Sequence, residues 1–171
     1  PERFNKVKWY GRGPGENYPD RKAGAPMGIY TADVNNMLER YPLPMEQGNR
    51  MDTNWVAVTD ANGVGLMVAS VEGENFNFSA LPCTPQALFD APHPEEIEHA
   101  GQTVLCMDAF TLGLGGAACG PRPIDRDIPL TAPTTFIFSL RPLLSADKPE
   151  EIGRKGLPLA GAVTISRDEL G

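Results

Sequence analysis

The fold is decided around one stretch of the sequence, Gly11-Arg12-Gly13-Pro14-Gly15-Glu16-Asn17-Tyr18-Pro19-Asp20-Arg21. Its three glycines and two prolines exclude a regular helix, because glycine is conformationally free and proline lacks an N–H donor. Immediately upstream, Val7 and Trp9 alternate with Lys6, Lys8 and Tyr10, which is the pattern of a half-buried strand. The sequence therefore predicts a strand that runs into a rigid polar loop.

The polar side chains of this loop allow two interpretations. In the first, the loop presents Glu16, Asn17, Tyr18, Asp20 and Arg21 at a sheet edge, free to make contacts beyond their own sheet. In the second, Arg21 and the carboxylates only pin the loop to its own sheet, since glycine- and proline-rich loops need side chains to satisfy their backbone groups.

The loop also carries a family resemblance. It is similar to the Gly-x-Gly-Pro-x-Glu-Asn-Tyr-x-Asp-Arg loop of the C-terminal small-chain domain of glycoside hydrolase family 2 β-galactosidases. A second block, residues 44–50 followed by Trp55, resembles the family's Pro-Gln-Glu-Asn-Gly-Asn-Arg, with Met45-Glu46-Gln47 replacing Gln-Glu-Asn. A third block joins Asp108 to the glycine-rich segment 113–121. The blocks follow the family's order over residues 6–142.

Length and charge narrow the function classes. The 171 residues suffice for one domain with a sizeable core. A net charge of -7 argues against nucleic acid and anionic membranes as partners, since both attract basic surfaces. No apolar run approaches the roughly 20 residues of a membrane span. The chain starts without Met, so we expect a segment of a longer protein.

Cysteine and histidine usage predicts no metal site. Cys83, Cys106 and Cys119 are odd in number and lack zinc-site spacing, so we expect free thiols, with Cys106 in a strand core. Unpaired thiols favour a reducing compartment, hence a cytoplasmic location with a periplasmic one as the alternative. His93 and His99 lie near three glutamates that would splay around a helix rather than converge. His93, between prolines, has a fixed loop position.

The segment before Trp55 is the least regular. The spacing of Val34, Met37, Leu38 and Tyr41 predicts a short amphipathic helix, which the following prolines end. Asn49, Arg50 and Asp52 then cluster. They are either a hydrogen-bonding rim for a polyol or a buried network that ties this strap to the sheet.

The rest of the chain is rich in strand signals. Residues 55–80 predict a three-stranded antiparallel meander with an Asn62-Gly63 hairpin turn, and Phe76 and Phe78 on one face. Thr84 and Pro85 are an N-cap and a first-turn proline for a short helix to Asp90. Further strands are predicted at 103–112 and 134–140, with an edge strand at 162–165. We divide the chain into a sandwich domain, 1–144, and a polar C-terminal tail, 145–171.

These signals predict an all-β fold, one antiparallel β-sandwich. The resemblance implies part of a β-supersandwich, the galactose mutarotase-like architecture. It also implies a non-catalytic domain of a β-galactosidase that hydrolyses terminal β-D-galactose. The catalytic glutamates of that family lie in a barrel domain, and no Asn-Glu pair occurs here. The domain would complete the active-site pocket and bury interfaces.

The resemblance further implies the partners. These are the remaining domains of the enzyme, its β-galactoside substrate and further copies of the enzyme in a homo-oligomer. No catalytic residue is expected in this segment, because the catalytic glutamates lie in the barrel domain. No cofactor is expected either, since parent enzymes often bind Mg and Na ions through other domains. The loop ending in Cys119, Gly120 and Pro121 would lie near the substrate. Gly120 stands where some family members carry a tryptophan. The resemblance also implies sugar or interface contacts for two groups of residues. The first is the loop set Glu16, Asn17, Tyr18, Asp20 and Arg21, and the second is Glu46, Asn49, Arg50, His93 and Asp108.

Two other functions remain open from the sequence. A free-standing carbohydrate-binding module would need an exposed aromatic platform, for which Trp9, Trp55 and Tyr18 are the candidates. A mutarotase-like sugar epimerase would need a histidine acid and a glutamate base in one cleft, which leaves His93 or His99 with Glu46.

Overall fold

The computed structural model describes all residues except 72, 116–119, 129–134 and 156–171. It contains strands β1 (Lys6–Arg12), β2 (Met27–Asp33), β3 (Arg50–Thr53), β4 (Trp55–Thr59), β5 (Gly65–Ser70), β6 (Phe76–Leu81), β7 (Val104–Asp108) and β8 (Phe138–Leu143). The helices are α1 (Pro85–Asp90) and α2 (Pro149–Lys155), and short 3-10 turns occupy Lys22–Gly24, Val34–Asn36, Pro94–Glu96 and Asp125–Asp127.

The strands form two antiparallel sheets. One has five strands in the order β2-β1-β4-β5-β8, and the other has three in the order β3-β6-β7. Trp9 of β1 is fully buried between them, with its ring edge-on to Phe78 at 5.8 Å between centroids. Phe76, Phe78, Val56 and Val68 belong to the same buried cluster. The prediction of an all-β sandwich is confirmed.

The hairpin signal marks the junction of β4 and β5. The Asp60 carboxylate accepts hydrogen bonds from the N–H groups of Asn62, at 2.8 Å, and Val64, at 3.1 Å. Gly63 adopts φ 80°, a conformation that costs glycine little. The predicted three-stranded meander is wrong, however, because β6 belongs to the smaller sheet. Phe76 and Phe78 share the core face, as expected.

The helix predicted from Val34 to Tyr41 is wrong. Only the 3-10 turn at 34–36 forms, capped by the Asp33 carboxylate through the N–H of Asn35 at 3.2 Å. Val34 and Met37 are buried in the core, so the periodicity reflected packing rather than a longer helix. Strand β2, in the region judged irregular, was not predicted, because this edge strand has a weak alternation of burial.

The helix at α1 is confirmed, with the Thr84 hydroxyl accepting the N–H of Ala87 at 3.1 Å. The later strands are shorter than predicted or shifted along the chain, since β7 ends at Asp108 and β8 begins at Phe138. Cys106 lies in β7 as expected but is only half-buried, opposite Ser79 of β6. Cys83 and Cys106 are free thiols.

The tail contains α2, which the sequence analysis did not predict. Ile152 packs on the outer face of the larger sheet, and the Glu150 carboxylate pairs with Lys8 at 2.7 Å. The tail therefore begins as a helix docked on the sandwich. The edge strand predicted at 162–165 lies outside the described residues.

Candidate functional site

The loop between β1 and β2 buries the middle of its motif. Glu16, Asn17 and Tyr18 are 8%, 0% and 1% exposed. The Glu16 carboxylate accepts the N–H of Gly48 at 2.8 Å and the hydroxyl of Tyr41, and it pairs with Arg21 at 3.4 Å. Three groups from separate parts of the chain thus share one carboxylate. These hydrogen bonds therefore hold parts of the same domain together.

Asn17 ties the first motif to the second. Its backbone N–H donates to the Asn49 carbonyl at 2.9 Å, and the Asn49 amide donates to the Asn17 carbonyl at 2.8 Å. The Asn17 side chain accepts the N–H of Met51 at 3.0 Å and donates to Gly15 at 3.1 Å. Asn17 therefore replaces strand pairing between two irregular segments, consistent with the interpretation of these residues as a buried network.

Asp20 ties the first motif to the third. Its two carboxylate oxygens accept the N–H groups of Leu114, at 3.1 Å, and Gly115, at 2.6 Å. Burial alone would raise the pKa of Asp20, but these donors outweigh it and the pKa is lowered. Gly115 has φ 57°, a conformation that favours glycine. One charged side chain therefore positions the start of the glycine-rich loop.

Arg50 lies beneath this junction. It is 3% exposed, donates to the Gly48 carbonyl at 2.7 Å and places its guanidinium over the Trp9 ring at 5.7 Å. Burial lowers the pKa of Arg50 and raises that of Tyr18. The Arg50 Nε and the Tyr18 hydroxyl have no hydrogen-bond partner among the described residues.

Glu46 and Asp108 are brought together on the outer side of the smaller sheet, and both remain accessible. Partial desolvation raises the pKa of Glu46, and the Asp108 charge raises it further. Burial also raises the pKa of Asp108, whose strand position faces Asn77. The pair can hold a proton at a higher pH than isolated carboxyls.

The two histidines lie away from Asp108. His93 is exposed before the turn at 94–96, and His99 lines a small crevice with Glu2 and Pro82. Both follow the Leu81 end of β6, whereas Asp108 pairs at the Asn77 end. The mutarotase-like interpretation, which needs a histidine beside Glu46, stays a prediction, since Gly48 packs against Leu81 at that same end of β6.

The prediction that Trp9, Trp55 and Tyr18 form an exposed aromatic platform is wrong. Trp9, Trp55 and Tyr18 are 0%, 2% and 1% exposed, because each fills the interior. Phe110 is exposed instead. Period-two patterns could not identify it, since it follows the end of β7.

The substrate-proximal loop is described only in part. Gly120 and Pro121 are exposed, and Cys119 lies outside the described residues, so its expected role stays a prediction. Within the described part of the chain, no group of three or more His, Cys, Asp or Glu side chains is placed to hold a metal ion. No helix there has the length and apolar character needed to cross a membrane.

Comparison with known proteins identifies the family. A family model described as "Beta galactosidase small chain" matches residues 1–141, and the chain belongs to this family. A β-galactosidase of Halalkalibacterium halodurans is 34% identical over 142 residues, which are 82% of this chain and 14% of that protein. A β-galactosidase of Vibrio cholerae is 35% identical over 150 residues, 88% of this chain and 14% of that protein. The chain thus spans about 14% of the length of these relatives, and the resemblance carried by the three motifs is confirmed.

Proposed function

We propose that the chain acts as a non-catalytic domain of a family 2 β-galactosidase, which hydrolyses terminal β-D-galactose residues. The observation that carries the proposal is the small-chain family match over residues 1–141, together with relatives named β-galactosidase of which the matched segment is only 14%. In this proposal the domain helps to complete the active-site pocket, and its residues bind no cofactor. Any Mg or Na ions would be bound by other domains.

The carboxylates of the motifs support a non-catalytic role. A retaining glycosidase needs two carboxylates about 5 Å apart, one as nucleophile and one as acid and base. Glu16 and Asp20 use their oxygens to hold backbone N–H groups of other loops. Glu46 and Asp108 are the accessible pair, and they are therefore the residues that a test of hydrolysis must include.

The open side of the sandwich supports an interface role. A cavity of about 330 Å³, lined largely by apolar side chains, opens where Phe4, Leu66 and Leu105 meet. The larger sheet is two strands wider than the smaller one, and β7 has a strand on one side only among the described residues. Leu140 of β8 is 52% exposed on the core-facing side. Open strand edges and exposed apolar faces favour pairing with other protein segments.

Two assays test the proposal. The purified chain should release no nitrophenol from an aryl β-galactoside, and Glu46→Gln should change nothing. Turnover that persists through repurification and falls in Glu46→Gln or Asp108→Asn would refute the non-catalytic role.

The second assay uses the complete enzyme that contains this domain. Leu140→Asp should weaken assembly and activity together, because it places a charge on the apolar face. Leu43→Asp is the matched control, since Leu43 is 61% exposed and belongs to neither sheet. Equal activity in both variants would contradict the interface role.

A further inference from the structure

A second cavity lies at the end of the sandwich where β3 ends and β6 begins. Its volume is about 290 Å³, close to the lower end of small-molecule sites, roughly 300 Å³. Five separate segments of the chain form its walls. The side chains that bear on a ligand are Asp52, Asn75, Asn77, Phe110, Thr111 and Asp127.

The walls combine an exposed ring with buried polar groups. Phe110 is 57% exposed, whereas Asn77 and Asp127 are 6% and 9% exposed. An aromatic face contacts apolar surface, while carboxylate and amide groups bind hydroxyls. Ligands that offer a flat C–H face edged by hydroxyls fit this combination, and pyranosides are such ligands.

Hydrogen bonds hold the walls in place without a ligand. The Asn77 amide donates to the Thr111 hydroxyl at 3.0 Å, which fixes the segment that carries Phe110. The Gly113 N–H donates to the Asp127 carbonyl at 3.0 Å. A Cβ at Gly113 would lie 3.1 Å from that of Asp127, so glycine permits the close approach. A preformed site loses less entropy when it binds.

Each carboxylate at the cavity is paired with a group of opposite charge. Asp52 pairs with Arg12 at 2.5 Å and with Lys22 at 3.5 Å. Asp127 pairs with Arg126 at 3.4 Å. Because each carboxylate already has a cation beside it, neither carboxylate is left unpaired to select a cationic ligand.

We propose that this cavity is a sugar-binding subsite, in which a neutral pyranoside stacks on Phe110 and bonds to Asp127 and to the amides of Asn75 and Asn77. The site belongs to this chain alone and does not depend on the proposed role in a β-galactosidase. In this proposal the aromatic platform is Phe110, in place of the three buried residues that the sequence analysis named.

The test is a titration of the purified chain with methyl β-galactoside and methyl β-glucoside, followed by ligand-observed NMR. Saturable binding of at least one glycoside is expected, with transfer from Phe110 ring protons to the ligand C–H protons. Phe110→Ala should weaken binding about fivefold to tenfold through the lost stacking. Asp127→Asn should weaken it about tenfold, since a charged acceptor becomes neutral.

Phe89→Ala is the control, because Phe89 is 82% exposed on α1, away from the cavity. Phe110 is exposed, so its alanine variant should fold, and circular dichroism checks this. No saturable binding of either glycoside would overturn the proposal. Equal weakening by Phe89→Ala, or tighter binding of galacturonate than of the neutral glycosides, would overturn it too.

Discussion

Replacing Asn17 by alanine should strongly destabilise the domain, because two side-chain hydrogen bonds are lost and the buried N–H of Met51 is left without a partner. The side chain accepts the N–H of Met51 at 3.0 Å and donates to Gly15 at 3.1 Å. Met51 is 7% exposed, so water cannot readily replace the acceptor. At about 1 kcal/mol per lost bond, plus the cost of an orphaned buried N–H, we expect a total loss of about 2–4 kcal/mol.

Urea unfolding monitored by tryptophan fluorescence measures this loss, since Trp9 lies in the core. A chain of this size should lose roughly 5–15 °C in Tm for the same change. Hydrogen exchange adds a local readout, in which the Met51 amide becomes less protected than the amides of β4 and β5.

Asn35→Ala is the matched control, because Asn35 is an exposed amide on the turn at 34–36. Its effect should stay within about 0.5 kcal/mol. Equal stabilities for the two variants would show that Asn17 does not crosslink the motifs. The interpretation of Asn17 as a residue that contacts a ligand would then be favoured.

Three further predictions follow from the same contacts. Asp20→Asn should lower stability at pH 7 in urea unfolding, and this difference should shrink as the pH falls below 3.8 and through the lowered pKa of Asp20; a constant difference would contradict this. Glu46→Gln should raise stability at pH 7 and lose that gain below about pH 4, since burial and Asp108 raise the pKa of Glu46 and its charge opposes folding. Thiol titration of the denatured chain without reductant should find all three cysteines of the sequence, and a single thiol would reveal a disulfide.

Local signals were the ones that the sequence could report. The turn at Asn62-Gly63 and the cap at Thr84 depend on neighbours within four residues, and both were predicted. Strand β6 was read correctly as a strand but placed beside β5. The crossing between sheets follows from which apolar faces meet, and no residue pattern within β6 encodes that choice.

The candidate site shows the same division. The three motif blocks could be identified by their residues, but their contacts could not, because Asp20 and Gly115 are 95 positions apart. Trp9 and Tyr18 are aromatic residues of the type that stacks on sugars, but both are buried. The cavity at Phe110 was missed for a related reason. Its walls come from five segments, and only one of them, at Pro19, belongs to a motif block.

The arrangement of the motifs suggests how the glycine-rich loop is placed. β7 ends at Asp108, and the chain continues past Leu112 without strand pairing. Asp20 holds the N–H groups of Leu114 and Gly115, while its own loop is held by Asn17. The position of the third motif therefore depends on the second through the first. If the loop reaches a substrate in the complete enzyme, substitutions at Asn17 or Asp20 act on that substrate through loop position, without either residue touching it.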